Sequence, residues 1–565
     1  MSGAPALSRR LAVARGAEPA DTVLRGGRVF NAFTREWLEA DVALVDGVVA
    51  GLGTYDGAET IDTAGRFLVP GFIDPHLHIE STKLLLDEFT RLVLPLGTTA
   101  VVADPHEIAN VLGSDGVHWL LDCAEGLPLD IYFMASSCVP ASAFESPRRR
   151  LTIGDLEGLL RRSRVLGVAE MMNFPAVVSG SEHELAKLEL ARHIDGHAPG
   201  LAGKALNAYV AAGIGSDHEA ANLEEGRERL RAGMWVFLRE ASGARNLRAL
   251  LPLALEYGPQ RMAFCTDDRE PEHVADDGHI NAIVRDAVGL GLCPEDALVM
   301  ATLNPAVYHG LSHLGAIAPG YQADILLLDD LASFLPALVL KRGRPLTEIA
   351  PIAVPEWARR TVRVSTIRPE DFAVPWQTGK ARVIGLVPGE IRTTSLVEEL
   401  ASRDGLALAD PGRDLAKVVV FERHLESGRV GRGFVRGFTL ERGAFGSTVA
   451  HDAHNLIVVG VEDAAMLAVA LRLRELGGGI AVADSSGALL AELPLPVAGL
   501  LSERSLDRVL SESRAVAAAV SSLGVSFPQP IQTLAFLSLS VIPALKITDR
   551  GLVDVDRFEL VPLAL

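Results

Sequence analysis

Apolar and polar positions change their period along the chain. From Thr22 to Gly71, Val, Ile, Leu and Phe alternate with small or polar residues in the runs TVLRGGRVFNAF, ADVALVDGVVAGLG and TIDTAGRFLVPG, and glycines punctuate the turns. A period near two with that punctuation predicts short strands. A similar patch returns much later, at GAIAPGYQADILLLDDL and ALVLKRGRPL. Strand-rich patches on both sides of a long insertion predict one small β-sandwich domain built from residues 1–68 and 311–352.

Between them the pattern alternates short apolar runs with helical periodicity, the signal of repeated βα units and a parallel sheet. Eight runs read as strands: LVPGFID, TTAVVAD, IYFMASS, GVAEMM, HIDGH, AGIGSDH, MWVFLRE and MAFCTDD. The stretches HELAKLELARH, GKALNAYVAA, EEGRERLRAG and ARNLRALLPLALEYG read as helices before the fifth to eighth of these. Eight such units over residues 69–310 predict a (β/α)8 barrel within an α/β fold class. A doubly wound open sheet is the structural alternative, but it has no Gly-rich dinucleotide turn to support it. Residues 353–565 mix strand runs (KVVVFER, NLIVVGV, GGIAVAD) with helical ones (EDAAMLAVALRLREL, ERSLDRVLSESRAVAAAVSSL) and predict a separate C-terminal α/β or α+β domain. The boundary falls near the proline-containing IAPIAVPEWARR.

Composition narrows the class. A chain of 565 residues exceeds one compact core. With 48% hydrophobic and 22% charged residues it reads as a soluble globular protein. A formal charge of −19 argues against nucleic acid as a partner, since phosphate binding needs concentrated Lys and Arg. The four cysteines are scattered, and the first residues contain Arg but no apolar core, so a cytoplasmic protein without a secretory signal is expected. The most apolar late stretch, TLAFLSLSVIPALKI, is short for a membrane span and contains a proline; it is expected to be a buried strand or helix, with no membrane partner.

The candidate chemistry lies at the ends of the predicted strands. Asp74-Pro75-His76-Leu77-His78 closes the first, and two His at i and i+2 on extended backbone project to the same side, where one ion can meet both. Asp104, His106 and Glu107 follow the second strand, Glu170 lies at the fourth, His197 at the fifth, His218 at the sixth, and Asp267 and Asp268 at the eighth. In a barrel these ends converge on one face. Four His with bridging and terminal carboxylates suit one or two borderline divalent ions such as Zn2+, Mn2+ or Fe2+. Such an ion brings the pKa of its water into the neutral range, and a neighbouring Asp can relay the proton, which is machinery for hydrolysis without a choice of bond.

That constellation resembles the amidohydrolase superfamily. More narrowly, PGFIDPHLHIES, GTTAVVADPHEIANVLG, GVAEMMNFPAVV, IDGHAPG, SDHEA, LREASGARNL and FCTDDR, with VAHDAHN and IPALKITDRGLVDV in the last domain, resemble the bacterial adenine deaminases. The resemblance implies hydrolysis of adenine to hypoxanthine and ammonia by a homo-oligomeric enzyme with two divalent ions, Mn2+ or Fe2+ or else Zn2+. It implies His76, His78, Glu170, His197, His218 and Asp267 as ligands, with Asp267 and Glu170 catalytic. Many superfamily members bridge their ions with a carboxylated lysine on the fourth strand; here that strand reads GVAEMM, and Glu170 offers two oxygens in its place. Where many members have His after Arg269, this chain has Glu270.

His106, Glu107, Glu219 and Asp268 are candidate substrate contacts, against the plainer readings of salt bridges and caps. Glu240 is set beside them with a salt bridge favoured. His451 and His454 are candidates for a contribution from the C-terminal domain, since HDAHN directly precedes an apolar strand; the plainer reading is a capped turn. His183, His193, His273 and His279 read as loop or surface residues, Met171 and Met172 as packing, and His118, His309, His313 and His424 carry no functional reading. The alternatives to adenine are another aminopurine or a cyclic amide, and, from another class, a non-catalytic scaffold on the same barrel. The zinc deaminases with a PCxxC signature are excluded because that signature does not occur here.

Overall fold

In the computed structural model, which describes residues 4–377 and 379–565, the middle of the chain forms eight parallel strands. They are β1 (Phe72–Leu77), β2 (Thr98–Ala103), β3 (Asp130–Ala135), β4 (Val165–Met171), β5 (Ile194–Gly196), β6 (Ser216–Asp217), β7 (Trp235–Arg239) and β8 (Met262–Cys265). β1 to β5 pair in sequence order, as do β6 to β8. The two sheets join where the Gly215 amide donates to the Ile194 carbonyl at 3.0 Å, and close where the Asp267 amide donates to the His76 carbonyl at 3.1 Å. Every residue of β1, β2 and β3 is buried, which is why these runs are apolar on both faces rather than alternating. Gly196 lets β5 and β6 approach: a Cβ there would stand 2.2 Å from the Ser216 carbonyl oxygen.

The predicted barrel helices form as Glu182–Leu188, Gly203–Ala211, Leu223–Arg231 and Leu247–Tyr257. Asn222 caps the third of these, its side chain accepting from the amides of Glu224 and Glu225. Strand Phe67–Pro70 pairs antiparallel with Ile325–Leu328, Val69 facing Leu326, so one eight-stranded sheet takes strands from both sides of the barrel. Leu24, Val42, Leu68, Ile325 and Leu340 share one apolar cluster within it.

The C-terminal domain is a second eight-stranded sheet, largely antiparallel, with Leu415–Phe421 and Leu456–Gly460 near its centre. Helices Asp463–Leu476 and Leu506–Ser522 cover it. The apolar stretch TLAFLSLSVIPALKI is neither one strand nor one helix. It divides between helix Pro530–Phe536, an irregular turn, and strand Leu545–Thr548. Ser540 breaks the run by bonding outward: its Oγ lies 2.6 Å from Ser142 Oγ and donates to Glu145 at 2.6 Å. Among the described residues no helix is long and apolar enough to cross a membrane.

Candidate active site

The polar strand ends meet on the C-terminal face of the barrel, and each is placed by its strand. His76 lies in β1 and His78 one residue beyond it; Glu170 is the next-to-last residue of β4; His197 and His218 directly follow β5 and β6. Asp267 follows β8 in a left-handed conformation, φ 54°, at the point where its amide closes the barrel onto His76. All six are buried.

Glu170 stands among the histidines. Its Oε1 is 3.5 Å from His78 Nε2, and its Oε2 is 2.7 Å from His197 Nδ1 and 3.4 Å from His218 Nε2. Asp267 Oδ1 is 3.3 Å from His78 Nε2 and 3.9 Å from His76 Nε2. The rings of His76 and His218 stack at 4.1 Å. Three donor groupings of metal-site dimensions result: His76 with His78 and Glu170, His76 with His218 and Asp267, and Glu170 with His197 and His218. The Nε2 atoms of His76 and His197 are buried with no hydrogen-bond partner among the described residues. Orphaned buried nitrogens are costly unless something accepts their lone pairs, so the donor set fits divalent ions.

Electrostatics follow from that crowding. Burial, then the neighbouring His218 and His78, hold the His76 imidazole well below its ordinary value. Burial opposes ionisation of Asp267, but the Arg239 guanidinium and His78 outweigh it and hold the carboxyl well below the usual range. Arg239 ends β7, donating to Asp267 Oδ2 at 2.6 Å and to both oxygens of Glu219. Below this layer Asp74 accepts from the Thr266 hydroxyl at 2.5 Å, and burial pushes its carboxyl up to about 7.

A small cavity opens onto the histidines. His106, Glu219, Asp268, His451 and Asp452 line it on the polar side, and Met172, Ile391, Phe536 and Leu539 on the apolar side. Met172 thus faces the cavity, while Met171 packs in a core behind it. Ser81 donates to Asp268, whose carbonyl accepts from Gln532 Nε2 at 3.1 Å; Gln532 Oε1 is buried without a partner among the described residues. Glu107 is fully buried beside His451, and His454 is buried in the same cluster. Glu240 stays outside, accepting from the Leu247 amide at 3.3 Å with Arg245 at 3.9 Å.

Some residues read as unremarkable are braces. His279 is buried, not a surface residue: its Nδ1 lies 2.8 Å from Thr98 Oγ1 and its Nε2 3.4 Å from Thr266 Oγ1. His309 Nε2 lies 2.8 Å from the Pro75 carbonyl, beside the first two ligand candidates. Glu270 forms a buried ion pair with Lys83. Arg239, Gln532 and Phe536 were not singled out from sequence. Arg239 shares the signal of the others, a polar residue ending a barrel strand; nothing local marks Gln532 or Phe536.

The sequence matches the amidohydrolase family over residues 67–362 and the adenine deaminase C-terminal domain over residues 390–559. It is 46% identical over 563 residues to "Adenine deaminase 2" of Carboxydothermus hydrogenoformans, covering 98% of both chains. It is also 46% identical over 558 residues to the adenine deaminase of Archaeoglobus fulgidus, covering 99% of this chain and 98% of that one. This chain belongs to the adenine deaminase family. The adenine deaminase of Brucella suis is 45% identical over 552 residues, covering 97% of this chain and 95% of its own. Among solved structures, molinate hydrolase superposes with a TM-score of 0.46 at 15% identity, over 60% of this chain and 98% of its own. The family's two matched regions meet at the cavity, since Met172 comes from one and Phe536 from the other.

Proposed function

We propose that the protein hydrolyses adenine to hypoxanthine and ammonia, with His76, His78, Glu170, His197, His218 and Asp267 holding two divalent ions, Mn2+ or Fe2+ or else Zn2+. The full-length likeness to adenine deaminases carries the substrate. The reaction type rests on one observation, a donor set with orphaned imidazole nitrogens opening onto a cavity with both polar and apolar walls. When bound, such ions supply Lewis acidity and make water acidic near neutral pH.

The chain's own groups do the rest. Asp267, oriented by Arg239 and within 3.3 Å of His78, takes the proton released as water adds to C6 of the purine and returns it to the departing amine. Phe536, Met172 and Leu539 supply apolar contact for the ring. Gln532 Oε1 is a free acceptor for an N–H of the base, and Glu219 and Asp268 face its ring nitrogens. The same reading divides the chain into residues 1–68 and 311–352 for the small sheet domain, 69–310 for the barrel and 353–565 for the C-terminal domain. It places the protein in the cytoplasm as a homo-oligomer.

The test is ammonia release from adenine, adenosine and a cyclic amide at equal concentration by the metal-loaded protein. Adenine is expected to be preferred. A clear preference for adenosine, or turnover of the amide alone, overturns the assignment.

A further inference from the structure

We propose that one more divalent cation binds at the joint between the barrel and the C-terminal domain, held by His106 and Glu107 from the barrel and His451 and Asp452 from the C-terminal loop. His106 Nε2 is 3.5 Å from Asp452 Oδ1, His451 Nδ1 is 3.6 Å from the same oxygen, and His451 Nδ1 is 3.4 Å from Glu107 Oε1. Ligands about 2.1 Å from a tetrahedral ion lie roughly 3.4 Å from one another. Three separations inside the catalytic donor set are similar, 3.5 Å for His78 to Glu170, 3.3 Å for His78 to Asp267 and 3.4 Å for His218 to Glu170, while His197 to Glu170 closes to 2.7 Å and His76 to Asp267 opens to 3.9 Å.

The contrast within this protein is informative. Where a buried imidazole outside any ligand set bonds a partner directly, as His279 with the Thr98 hydroxyl, it closes to 2.8 Å. In the joint cluster none of these three pairs does so. The residues are buried, with 3%, 0%, 4% and 1% of His106, Glu107, His451 and Asp452 exposed, and His106, His451 and Asp452 form part of the inner wall of the cavity. The second oxygens of the two carboxylates, Asp452 Oδ2 and Glu107 Oε2, have no hydrogen-bond partner among the described residues. Two carboxylates left that way in a dry interior are costly, and a cation shared between them and two imidazoles removes the cost.

The surroundings hold the donors in place. Asp104 Oδ2 lies 3.4 Å from His106 Nδ1, and Asp104 is fixed by the Ser136 hydroxyl at 2.5 Å. The His451 ring stacks on Phe536, centroids 4.6 Å apart and planes 13° from parallel. The Ala453 amide donates to Glu145 Oε2 at 3.0 Å, and His424 Nε2 lies 2.6 Å from the Ala453 carbonyl. Acids face the cluster from other elements too. Glu80 accepts from the Ile108 amide at 3.2 Å, and Glu145 lies buried on the other side, held by the Ala453 amide and the Ser540 hydroxyl. The field suits a cation. Mixed imidazole and carboxylate donors suit Zn2+, Mn2+ or Fe2+ rather than Ca2+ or Mg2+. His454, fourth in this loop, is a less apt ligand: its Nδ1 accepts from the Ala450 amide at 3.2 Å, which leaves a proton on Nε2.

The site lies beyond the catalytic set. His106 Nδ1 is 4.0 Å from Glu170 Oε1, so the two edges of one ring face the two centres. An ion here would tie the domains together through ligands from each.

Full-length protein is stripped with a chelator, reloaded with Mn2+, dialysed, and its metal counted per chain by mass spectrometry. Wild type is expected to hold three equivalents, and Asp452→Asn and His451→Gln to hold one fewer while folding with an unchanged circular dichroism spectrum. A wild-type count of two that Asp452→Asn leaves at two overturns the proposal and leaves the catalytic pair intact. A count of two that falls to one in Asp452→Asn supports this site and instead overturns the two-ion catalytic centre. Should both variants fail to fold, anomalous scattering from Mn2+-loaded wild-type crystals decides, with a peak between His106 and Asp452 required.

Discussion

At the scale of single residues, the protein concentrates charge where charge is expensive. Glu170 touches His78, His197 and His218 at once, and no lysine stands on its strand. Glu170→Gln keeps the shape and removes the charge that, on the proposed ligand assignment, would hold two cations together. It is expected to fold, to lose at least one metal equivalent, and to lose activity by at least about a hundredfold, beyond what outer-shell changes cause. Metal analysis beside an ammonia assay checks this, and two ions with normal turnover would defeat the ligand role. Reconstitution is also expected to be indifferent to bicarbonate, since no carbamate has to form.

Lys546 shows the opposite economy. It is buried in strand Leu545–Thr548 and donates to the carbonyls of Ile391 at 2.8 Å and Phe536 at 3.1 Å, and burial lowers its ammonium to about 7 from 10.5. Between those values the unfolded chain carries a proton that the folded one lacks, so this group makes stability rise with pH across that window. Below pH 7 both states are protonated and the burial cost is constant. Lys546→Met should remove that slope, so wild type gains about 2 kcal/mol on the variant between pH 7.5 and 9.5. Denaturant titrations at the two pH values measure it, and parallel profiles would rule it out.

Among the elements, helix Pro530–Phe536 decides the shape of the cavity. It starts on a proline at its first turn and delivers Gln532 and Phe536 to the barrel mouth, four residues and so about one turn apart on the same face. Phe536→Ala is expected to raise KM for adenine roughly tenfold, the equivalent of about 1.4 kcal/mol of lost contact, with a much smaller change in kcat. Steady-state kinetics separate the two. A fall in kcat with KM unchanged would mean that the ring works only by positioning His451.

For the whole molecule, the barrel and the C-terminal domain are not independent bodies. One apolar cluster runs from Leu77, Phe89 and Ile108 in the barrel to Val420, Ile457 and Ile547 in the C-terminal domain. Ser146, Glu145 and Ser142 of the barrel hydrogen-bond Asp549, Ala453 and Ser540 across the joint. Residues 1–352 expressed alone are therefore expected to be insoluble or inactive, because a large apolar surface would face water. Calorimetry of the full chain should give one cooperative transition for the two. A soluble barrel with normal turnover would refute this.

The sequence by itself determined the barrel, because the alternation of apolar runs and helical periods records which faces are buried, and burial is a local property of each element. It also determined the candidate ligands, since His76, His78, Glu170, His197, His218 and Asp267 each sit at a strand end and all strand ends of a barrel share one face. Only the tertiary structure decided what those residues meet. Arg239 pairs with Asp267 and Glu219 across separate strands, Glu270 finds Lys83 far away in the chain, and His279, read as a loop residue, is sealed between Thr98 and Thr266. The walls of the cavity were hidden for the same reason. Phe536 and Gln532 lie in a helix whose local pattern is that of any buried segment, and Asp452 gains its place beside His106 only because the apolar joint brings two distant stretches together. Periodicity reports the side on which a residue is buried; a partner hundreds of positions away is chosen by packing, which no local pattern encodes.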